Sequence, residues 1–526
     1  MIPDIIQSGA EQEFLQRFSG LHSYLGAVLP LPRVAACESV RAICGWGNTW
    51  NLYRSQSSYS GKPCLTRYSP AEPYKIVTIE EFWSDAIDNA EFGADYDFSR
   101  PFFDQFNELM LRIYHLPLSA TNIENSDYVN GALNLKDCYL CFAASDSQGC
   151  LYCHELRSGE SNIDCIATKR CRFCYAGASL DNCYECRSCV DCWDSAGCFG
   201  CSGCHSVTDC IGCVGLTQAR HCIFNQQKSA DEYRQFLIEH RLASYSGTQR
   251  LLQLCYEFAA TVKTAPNRII NAENCSGDYI GRSQNLYHCY NVFDAKDCGY
   301  LVDSMSCFDS WRGVSVKSEL CWNSLSVQSQ NIAYSYAMWL SENIFYSYML
   351  FNRCAHCFGC ASLKAKSYCI LNRQYSKEEY FEILPRIVRH MQATGEWGQL
   401  LPPRISPHGY QESYAFDTLP ELSNKEASAR GYRLWTEPQS AAGKTDLSAA
   451  ELPDELTSAD LQHLSGKSIA CAESGAPFNL QRAELEFYLR QGIPAPRVHW
   501  RRRLRQIMKQ RARMPEEVDC KVPRFA

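Results

Sequence analysis

The amino-acid sequence predicts a mainly β protein with some α-helix, in which two tandem Cys-rich β-solenoid (β-helix-like) arrays each end in a capping helix. Three observations support this fold class: cysteines spaced in multiples of three, a segment that occurs twice, and a capping-box sequence that closes each copy. Related segments at the two ends of the chain predict a terminal module on each side of the arrays.

The first array is predicted from the cysteines between Cys138 and Cys222, because every separation between them is a multiple of three. Small or apolar residues such as Ala132, Leu135 and Val207 hold the same phase elsewhere, so the row indicates a narrow interior. Neither the 3.6-residue period of an α-helix nor the two-residue period of a strand fits this spacing. Very short strands joined by turns do fit, and they predict a solenoid whose successive coils bury one another. A bundle of polyproline II segments shares the period, but its crowded contacts require Gly where this chain has Cys.

The second array is predicted between residues 271 and 372, where the pattern recurs in a looser form. Ile332 and Ile344 stand there at positions that the first array would give to Cys. Because isoleucine can pack in an inner row but cannot bind a metal ion, this exchange favours a packing role for the cysteines.

The duplicated segment occupies residues 210–233 and 357–380, which are identical at 11 of 24 positions without a gap. A solenoid end exposes unpaired backbone groups, so we predict that a helix after each copy covers the end of its array. Each copy closes with the spacing of a capping box, Ser229 with Glu232 and Ser376 with Glu379.

The terminal modules are predicted from residues 8–34 and 474–498, which share Ser-Gly-Ala, Leu-Gln-Arg and Pro-x-Pro-Arg-Val elements. With the motifs LYR, YSP, DYDFSRPFFDQF, SKEEY, GEWG and SPHGY between them, the chain resembles the Cys-rich zinc-ribbon/repeat family frequent in genomes of candidate-phyla bacteria. The resemblance covers nearly the whole chain and implies zinc-ribbon-like modules at both ends. The family has no established activity; some members carry a CoA-transferase label, for which this sequence holds no matching catalytic motif.

Both modules depart from the two Cys-x-x-Cys knuckles of that family. A structural zinc ion requires four Cys or His ligands, and each copy retains at most two, so we expect degenerate ribbons without metal. Cys471 and His499 are the remaining candidate ligands. The knuckle positions hold Cys471, Ser474, His499 and Arg502 in the C-terminal copy, and Ser8, Cys37 and Val40 in the N-terminal copy.

These elements divide the chain into eight predicted segments. They are a degenerate ribbon-like module (1–66), a linking or docking segment (67–117), the first solenoid (118–228), a helical cap and connector (229–264), the second solenoid (265–375), a helical cap and extended segment (376–420), a linker (421–465) and a degenerate ribbon-like module with a basic tail (466–526).

The densest thiol run is the candidate metal site, and thiolates would favour Zn, Cu(I) or an iron–sulfur cluster. The Cys spacing of ferredoxins is absent, and Ala, Leu, Val and Gly share the row. We therefore expect no cofactor and treat cysteine as a small, readily buried side chain, with zinc or another thiophilic metal as the alternative. The candidate ligands are Cys183, Cys186, Cys189, Cys192, Cys198, Cys201 and Cys204.

Composition and charge limit the class of protein, its expected location and its candidate partners. The net charge is −7, hydrophobic residues make up 46% of the 526 positions, and no apolar run reaches the length of a membrane span. The N-terminal residues lack a secretory pattern, so we expect a cytoplasmic protein with reduced thiols. The basic run Arg497–Arg513 is a candidate for nucleic-acid phosphates, with Trp500 for stacking; a solvated helix or an intrachain partner is the other interpretation.

We expect a non-enzymatic scaffold that presents an extended solenoid surface to a protein partner, because no nucleophile elbow, P-loop, dinucleotide or zincin motif occurs. A thiolate metal protein is the first alternative, and elemental analysis distinguishes it. A carbohydrate-active β-helix enzyme is the second, and it requires acids that converge from adjacent coils. The acidic segment 93–106 is instead expected to pack across the first coils through Asp–Arg contacts.

Overall fold

The structure, a computed structural model, describes residues 13–14, 16, 20–29, 34–166, 195–263, 268–436 and 445–510. These residues fall into two compact units. Unit 1 contains those up to Leu118 and from 268 to Trp435, and unit 2 those from Ser119 to 263 and from Thr436 to 510. The boundary after Trp435 lies inside the predicted linker 421–465, and the rest of the eight-part division remains a prediction. The described residues form a mainly β fold with helices.

Unit 2 contains repeats of 12 residues that pair with one another in parallel. Asn130 pairs with Phe142, Phe142 with His154, and His154 with Ile166. The same spacing relates Phe199, Ile211 and Ile223 further along the chain. The longer stretches of this pairing form a three-stranded parallel sheet of Ala120–Glu124, Ala132–Lys136 and Ser145–Gln148.

Every third residue of these repeats adopts a left-handed backbone conformation, with φ near +50°. Asp137, Asp164 and Asp209 are examples, and the side chain that follows each one is buried. Asn, Asp and Gly are the residues that tolerate this conformation best, which explains why polar residues and Gly precede the cysteine row. Leu140 and Tyr152 also adopt it, although it costs about 1–2 kcal/mol per residue with a bulky side chain.

The described residues of the inner row of unit 2 are buried in one cluster, as the sequence predicts. Val129, Ala132 and Leu156 lie in it beside cysteines that are at most 4% exposed. The described cysteines of this row are Cys138, Cys141, Cys150, Cys153, Cys165, Cys198, Cys201, Cys204, Cys210, Cys213 and Cys222.

Unit 1 contains the larger sheet, which has 12 strands among the described residues and is parallel except at its last pair. Consecutive strands are offset by 11 to 13 residues, as Glu273 to Gln284 and Glu342 to Ala355 show. The strands are Ile269–Ile270, Glu273–Gly281, Gln284–Phe293, Lys296–Met305, Phe308–Val316, Glu319–Val327, Gln330–Trp339, Glu342–Phe345, Tyr348–Leu350, Ala355–Phe358, Ser367–Ile370 and Arg373–Gln374.

One column of this sheet tests the predicted exchange of cysteine for isoleucine. Cys321 pairs with Ile332, Ile332 with Ile344, and Ile344 with Cys357. All four side chains are buried in one cluster. The prediction that Ile332 and Ile344 take inner positions equivalent to cysteine is confirmed.

The remaining elements of unit 1 surround its sheet. The helix Ala36–Cys44 packs on the strands Lys296–Met305, Phe308–Val316 and Glu319–Val327, where Arg312 Nη1 donates to Ser39 Oγ at 3.2 Å. The other helices are Gly20–Leu25, Ile79–Trp83, Phe102–Arg112, Lys377–Ala393, Tyr414–Thr418 and Asn424–Ala429, with 3₁₀ turns at Asn89–Phe92, Pro403–Ile405 and Tyr410–Glu412. The short strands are Tyr53–Gln56 with Pro63–Thr66, and Lys75–Ile76 with Tyr114–His115.

Both predicted capping boxes are present. The side chains of Ser229 and Ser376 accept from the backbone N–H three residues later, and the glutamate there accepts from the serine N–H. The helix that begins after Ser229 spans Ala230–His240, and a second helix, Tyr245–Thr261, follows it. Leu251 and Cys255 of the second helix pack on the outer column Phe199, Ile211 and Ile223. This second helix therefore covers a side of the repeats.

The C-terminal part of unit 2 completes the fold. Its elements are the strands Leu447–Ser448, Ser468–Ala470 and Pro477–Asn479, the helices Asp460–Leu464, Arg482–Gln491 and Trp500–Gln510, and the 3₁₀ turn Ala449–Glu451. At the end of the repeats, Cys222–Ile223 forms a hairpin with Gln226–Gln227. Within the described ranges, no helix is both long and apolar enough to cross a membrane.

Candidate functional site

The thiols that the sequence singles out divide between described and undescribed parts of the chain. Cys183, Cys186, Cys189 and Cys192 lie outside the described residues. Cys198, Cys201 and Cys204 are buried in the inner row, at most 1% exposed. In the part of the chain that the structure describes, no group of three or more His, Cys, Asp or Glu side chains is placed to hold a metal ion.

The described thiols bond to the backbone of their own and the next repeat. Cys201 Sγ donates to the carbonyl oxygens of Phe199 at 3.7 Å and Cys210 at 3.3 Å, and it accepts from the Cys213 N–H at 3.4 Å. The carbonyl groups of Phe199 and Cys210 also accept from backbone N–H groups, so the thiol adds only a weak second bond to each. The bond from the Cys213 N–H matters more, because it pairs a buried backbone donor.

Serine performs the same role at other positions of the row. Ser147 Oγ donates to the Ser145 carbonyl and accepts from the Gly159 N–H at 3.0 Å, and Ser126 Oγ accepts from the Cys138 N–H at 2.8 Å. A hydroxyl and a thiol are therefore alternatives at one structural position.

In unit 1, burial raises the pKa of Cys289 to about 12 and of Cys321 to about 11, which keeps these thiols protonated at neutral pH.

We expect Cys201→Ser to cost less than about 1 kcal/mol of unfolding free energy, because the hydroxyl keeps the bonds to the neighbouring repeats. Cys201→Ala should cost about 1–3 kcal/mol, since it leaves the buried Cys213 N–H without an acceptor. Urea unfolding of both variants measures the difference. Equal costs for Ser and Ala would show that these hydrogen bonds contribute nothing to stability.

Cys471 and His499 are in contact, but the contact uses the backbone of the histidine and not its ring. Cys471 Sγ accepts from the His499 backbone N–H at 3.3 Å, while His499 Nδ1 accepts from the Arg501 N–H at 3.2 Å. Burial, followed by the neighbouring arginines, lowers the pKa of His499 to about 3. The imidazole is thus neutral, with one nitrogen already occupied. Of the N-terminal knuckle residues, Ser8 lies outside the described residues, and Cys37 and Val40 are buried in the helix Ala36–Cys44.

The basic run Arg497–Arg513 contributes side chains to the interior of unit 2; its residues 511–513 lie outside the described part. Arg503 Nη2 contacts Asp164 Oδ1 at 2.9 Å and Glu484 Oε1 at 3.6 Å. Trp500 stacks on Phe142 with 5.6 Å between ring centroids, and the Arg497 guanidinium lies 4.1 Å from the Tyr245 ring centre. These contacts lie within the chain, with residues outside the acidic segment 453–460, and they occupy Trp500 and Arg503.

Asp164, Glu484 and Arg503 form a buried charge cluster. Asp164 and Glu484 are at most 1% exposed, and burial raises the pKa of Glu484 to about 7. The Glu484 carboxylate accepts from Tyr152 Oη at 2.8 Å and Tyr488 Oη at 2.9 Å. The hydroxyls and the guanidinium together satisfy both carboxylate oxygens, so the cluster fastens the C-terminal helices to the repeats of unit 2.

The acidic segment 93–106 lies elsewhere than predicted. It contacts the last repeats of the unit 1 array, with Asp95 paired to Arg373 at 2.6 Å and the Phe102 ring 5.5 Å from that of Phe358. The prediction that it packs across the first coils is wrong, because its Phe102 ring packs against the buried aromatic side chains Tyr346 and Phe358 of the final repeats. Glu396 of the GEWG motif accepts from the Phe102 and Phe103 N–H groups at 2.8 Å and so caps the helix Phe102–Arg112.

A second polar cluster in unit 1 was missed by sequence reasoning. We call it the Tyr68 cluster: Arg67, His115, His408 and Tyr348 around the side chain of Tyr68. The rings of His115 and His408 lie 5.2 and 5.3 Å from the Tyr68 ring, the Arg67 guanidinium lies 5.5 Å from it, and the Tyr68 and Tyr348 hydroxyls are 3.1 Å apart.

The Tyr68 cluster is buried and basic. Arg67 is 5% exposed and His408 is 2% exposed. Burial lowers the pKa of His115 to about 4 and that of His408 well below its ordinary value, with Arg67 the next cause for His408. The YSP and SPHGY motifs supply Tyr68 and His408, but the 340 residues between them hide their proximity in the sequence.

One edge of the unit 1 array is exposed and polar; we call it the repeat edge. Corresponding residues of successive repeats line it, and two open grooves of about 770 and 520 Å³ lie along it. Its acidic and basic side chains are interspersed, and Arg282 pairs with Asp294 of the next repeat at 2.8 Å. The charged side chains of the repeat edge are Glu273, Arg282, Asp294, Lys296, Lys317, Glu319, Glu342 and Arg353.

Comparison with known proteins adds little to this geometry. No protein-family model and no curated protein matches the chain. Among solved structures, the chain is similar to one described as a "putative acetyltransferase" from Desulfovibrio desulfuricans G20, at 9% identity over 49% of this chain and 68% of that one. The TM-score is 0.11, so the match carries no argument about fold or activity.

Proposed function

We propose that the protein is a non-enzymatic binding scaffold, in which both arrays are β-solenoids and the repeat edge of unit 1 contacts a protein partner. The observation that carries the proposal is the repeat edge itself, an open row of charged side chains contributed by successive repeats. Repeat architectures use such extended surfaces for binding, because each repeat adds one more contact in register.

The charge pattern favours a protein over a nucleic acid. Glu273, Glu319 and Glu342 share the row with Lys296 and Lys317, whereas a phosphate backbone requires a surface of one positive sign. Interspersed charges of both signs suit a protein surface of complementary pattern. Phe308 is the exposed aromatic residue of the row, so the stacking platforms typical of sugar and base binding are not repeated along it.

The thiols fit this proposal as structural residues. Their exchange with serine and isoleucine in the inner rows supports packing and backbone bonding over metal binding. We also propose that the chain belongs to the Cys-rich zinc-ribbon/repeat family and that residues 466–510 are a ribbon remnant. The hairpin Ser468–Ala470 with Pro477–Asn479, which places Cys471 in its turn, supports that assignment.

Reversing the charges of the repeat edge is expected to weaken partner binding roughly tenfold or more, because like charges then face the partner. The variant is Lys296→Glu with Lys317→Glu and Arg353→Glu in the full chain. Partners are identified by quantitative capture on the wild-type protein, and their dissociation constants are then measured with purified components.

The matched control makes the same charge change in unit 2, with Lys136→Glu, Arg220→Glu and Lys228→Glu. Lys136 and Arg220 are exposed as well, and Lys228 is partly exposed. A partner that binds both variants equally well, with circular dichroism unchanged, would contradict the repeat edge as the binding surface.

A further inference from the structure

The guanidinium of Arg67 is buried without a carboxylate partner among the described residues. Its Nη2 donates to the thioether of Met349 at 2.8 Å, and its Nε has no hydrogen-bond partner in the same part of the chain. A thioether sulfur is a weak acceptor and carries no charge. An unpaired ion in such surroundings is strongly destabilising, and the described residues supply no carboxylate that would offset it.

The carboxyl groups of Glu72 and Glu412 in unit 1 are engaged by other residues. Glu72 pairs with Arg433. Glu412 accepts from Tyr53 Oη at 3.2 Å and from the Gly409 N–H at 3.1 Å, and burial raises its pKa to about 7. Glu412 Oε1 also lies 3.9 Å from His408 Nδ1, so the contacts of this carboxyl group are with donors other than Arg67.

The histidines of the Tyr68 cluster show which kind of anion would fit. His115 Nε2 donates to the Met110 carbonyl at 2.7 Å, so the neutral ring has its lone pair on Nδ1, and that atom has no hydrogen-bond partner among the described residues. Both ring nitrogens of His408 are likewise without a hydrogen bond to any described residue. The cluster thus offers a cationic donor at Arg67 together with unpaired acceptor atoms on neutral imidazoles.

We propose that the Tyr68 cluster binds a small protonated oxyanion of the phosphate type. The unprotonated oxygens would accept from Arg67, whose planar fork matches an oxyanion, while a P–OH group would donate to an imidazole nitrogen. Sulfate carries the charge but has no proton to donate at neutral pH, so it satisfies Arg67 and leaves the histidines unpaired. This site is independent of the repeat edge.

The test uses the full chain purified in phosphate buffer, desalted, denatured in acid and assayed for released phosphate. We expect about one phosphate per wild-type chain and at least a fivefold reduction in Arg67→Met, because the charged donor is lost. Arg502→Met, an exposed arginine of unit 2, is the control and should release as much phosphate as the wild type.

A second measurement keeps the test valid if Arg67→Met fails to fold. The thermal midpoint of phosphate-free wild-type protein should rise when phosphate is added and rise less with sulfate at equal ionic strength. Arg67→Lys keeps the positive charge but loses the planar guanidinium, so its thermal midpoint should rise less than that of the wild type when phosphate is added. Wild-type protein that releases no phosphate would overturn the site, and equal shifts with sulfate and phosphate would overturn the proposed ligand class.

Discussion

Replacing Arg503 with methionine is expected to destabilise unit 2 by about 3–5 kcal/mol, because it leaves two buried carboxyl groups without their cation. Asp164 and Glu484 are at most 1% exposed, and Arg503 Nη2 lies within 3.6 Å of an oxygen of each. Urea unfolding of the full chain, followed by circular dichroism, measures the loss.

Arg502→Met is the matched control on the same helix. Arg502 is about half exposed and lies 3.8 Å from Glu473, so its removal should change stability by less than about 1 kcal/mol. Adding Asp164→Asn and Glu484→Gln to Arg503→Met should recover part of the loss, because the unpaired charges disappear. If Arg503→Met were as mild as its control, the charge cluster would have no role in holding the C-terminal helices.

Replacing Gly277 with alanine is expected to cost unit 1 about 3 kcal/mol or more. Gly277 has φ +129° at a register shift in the strand Glu273–Gly281, and a Cβ there would lie 1.8 Å from the Cys289 carbonyl oxygen. The clash is with backbone of the paired strand and cannot be relieved by a rotamer change, so backbone strain and overpacking add. Denaturant unfolding of the full chain gives the value.

Gly61→Ala separates the effect of conformation from that of the clash. Gly61 also has a positive φ, +74°, but its surroundings are open, and a Cβ added there would meet no atom within 4 Å. We expect a cost of about 1–2 kcal/mol, the penalty of the left-handed conformation alone. Similar losses for Gly61→Ala and Gly277→Ala would mean that the paired strands separate easily at the bulge.

Much of the repeat structure could be predicted from the sequence, because its causes are local. The left-handed conformation recurs at every third residue and selects Asp, Asn or Gly, while the narrow interior selects small side chains such as Cys138 and Ala144. Both constraints leave a period of three in the sequence. The capping boxes at Ser229 and Ser376 are local in the same way, since each uses residues three apart.

The location of the acidic segment and the Tyr68 cluster could not be predicted, because they depend on contacts between distant residues. Asp95 pairs with Arg373 across 278 positions, and the Tyr68 cluster unites residues from both sides of the array. The YSP and SPHGY motifs single out Tyr68 and His408 in the sequence, but they do not indicate that the two rings are in contact. The number of cysteines suggested a candidate metal site, but the number alone does not distinguish a metal ligand from a packing residue.

By itself, the sequence determined the phase of the inner row, the exchange of cysteine with isoleucine at Ile332 and Ile344, and the helix starts after each array. Only the tertiary structure decided that Arg503 is neutralised within unit 2 while Arg67 is buried without a carboxylate among the described residues. The reason is physical. The sequence period is set by backbone conformation within a few residues, whereas the pairing of a buried charge depends on which distant groups the fold brings within a few ångströms of it.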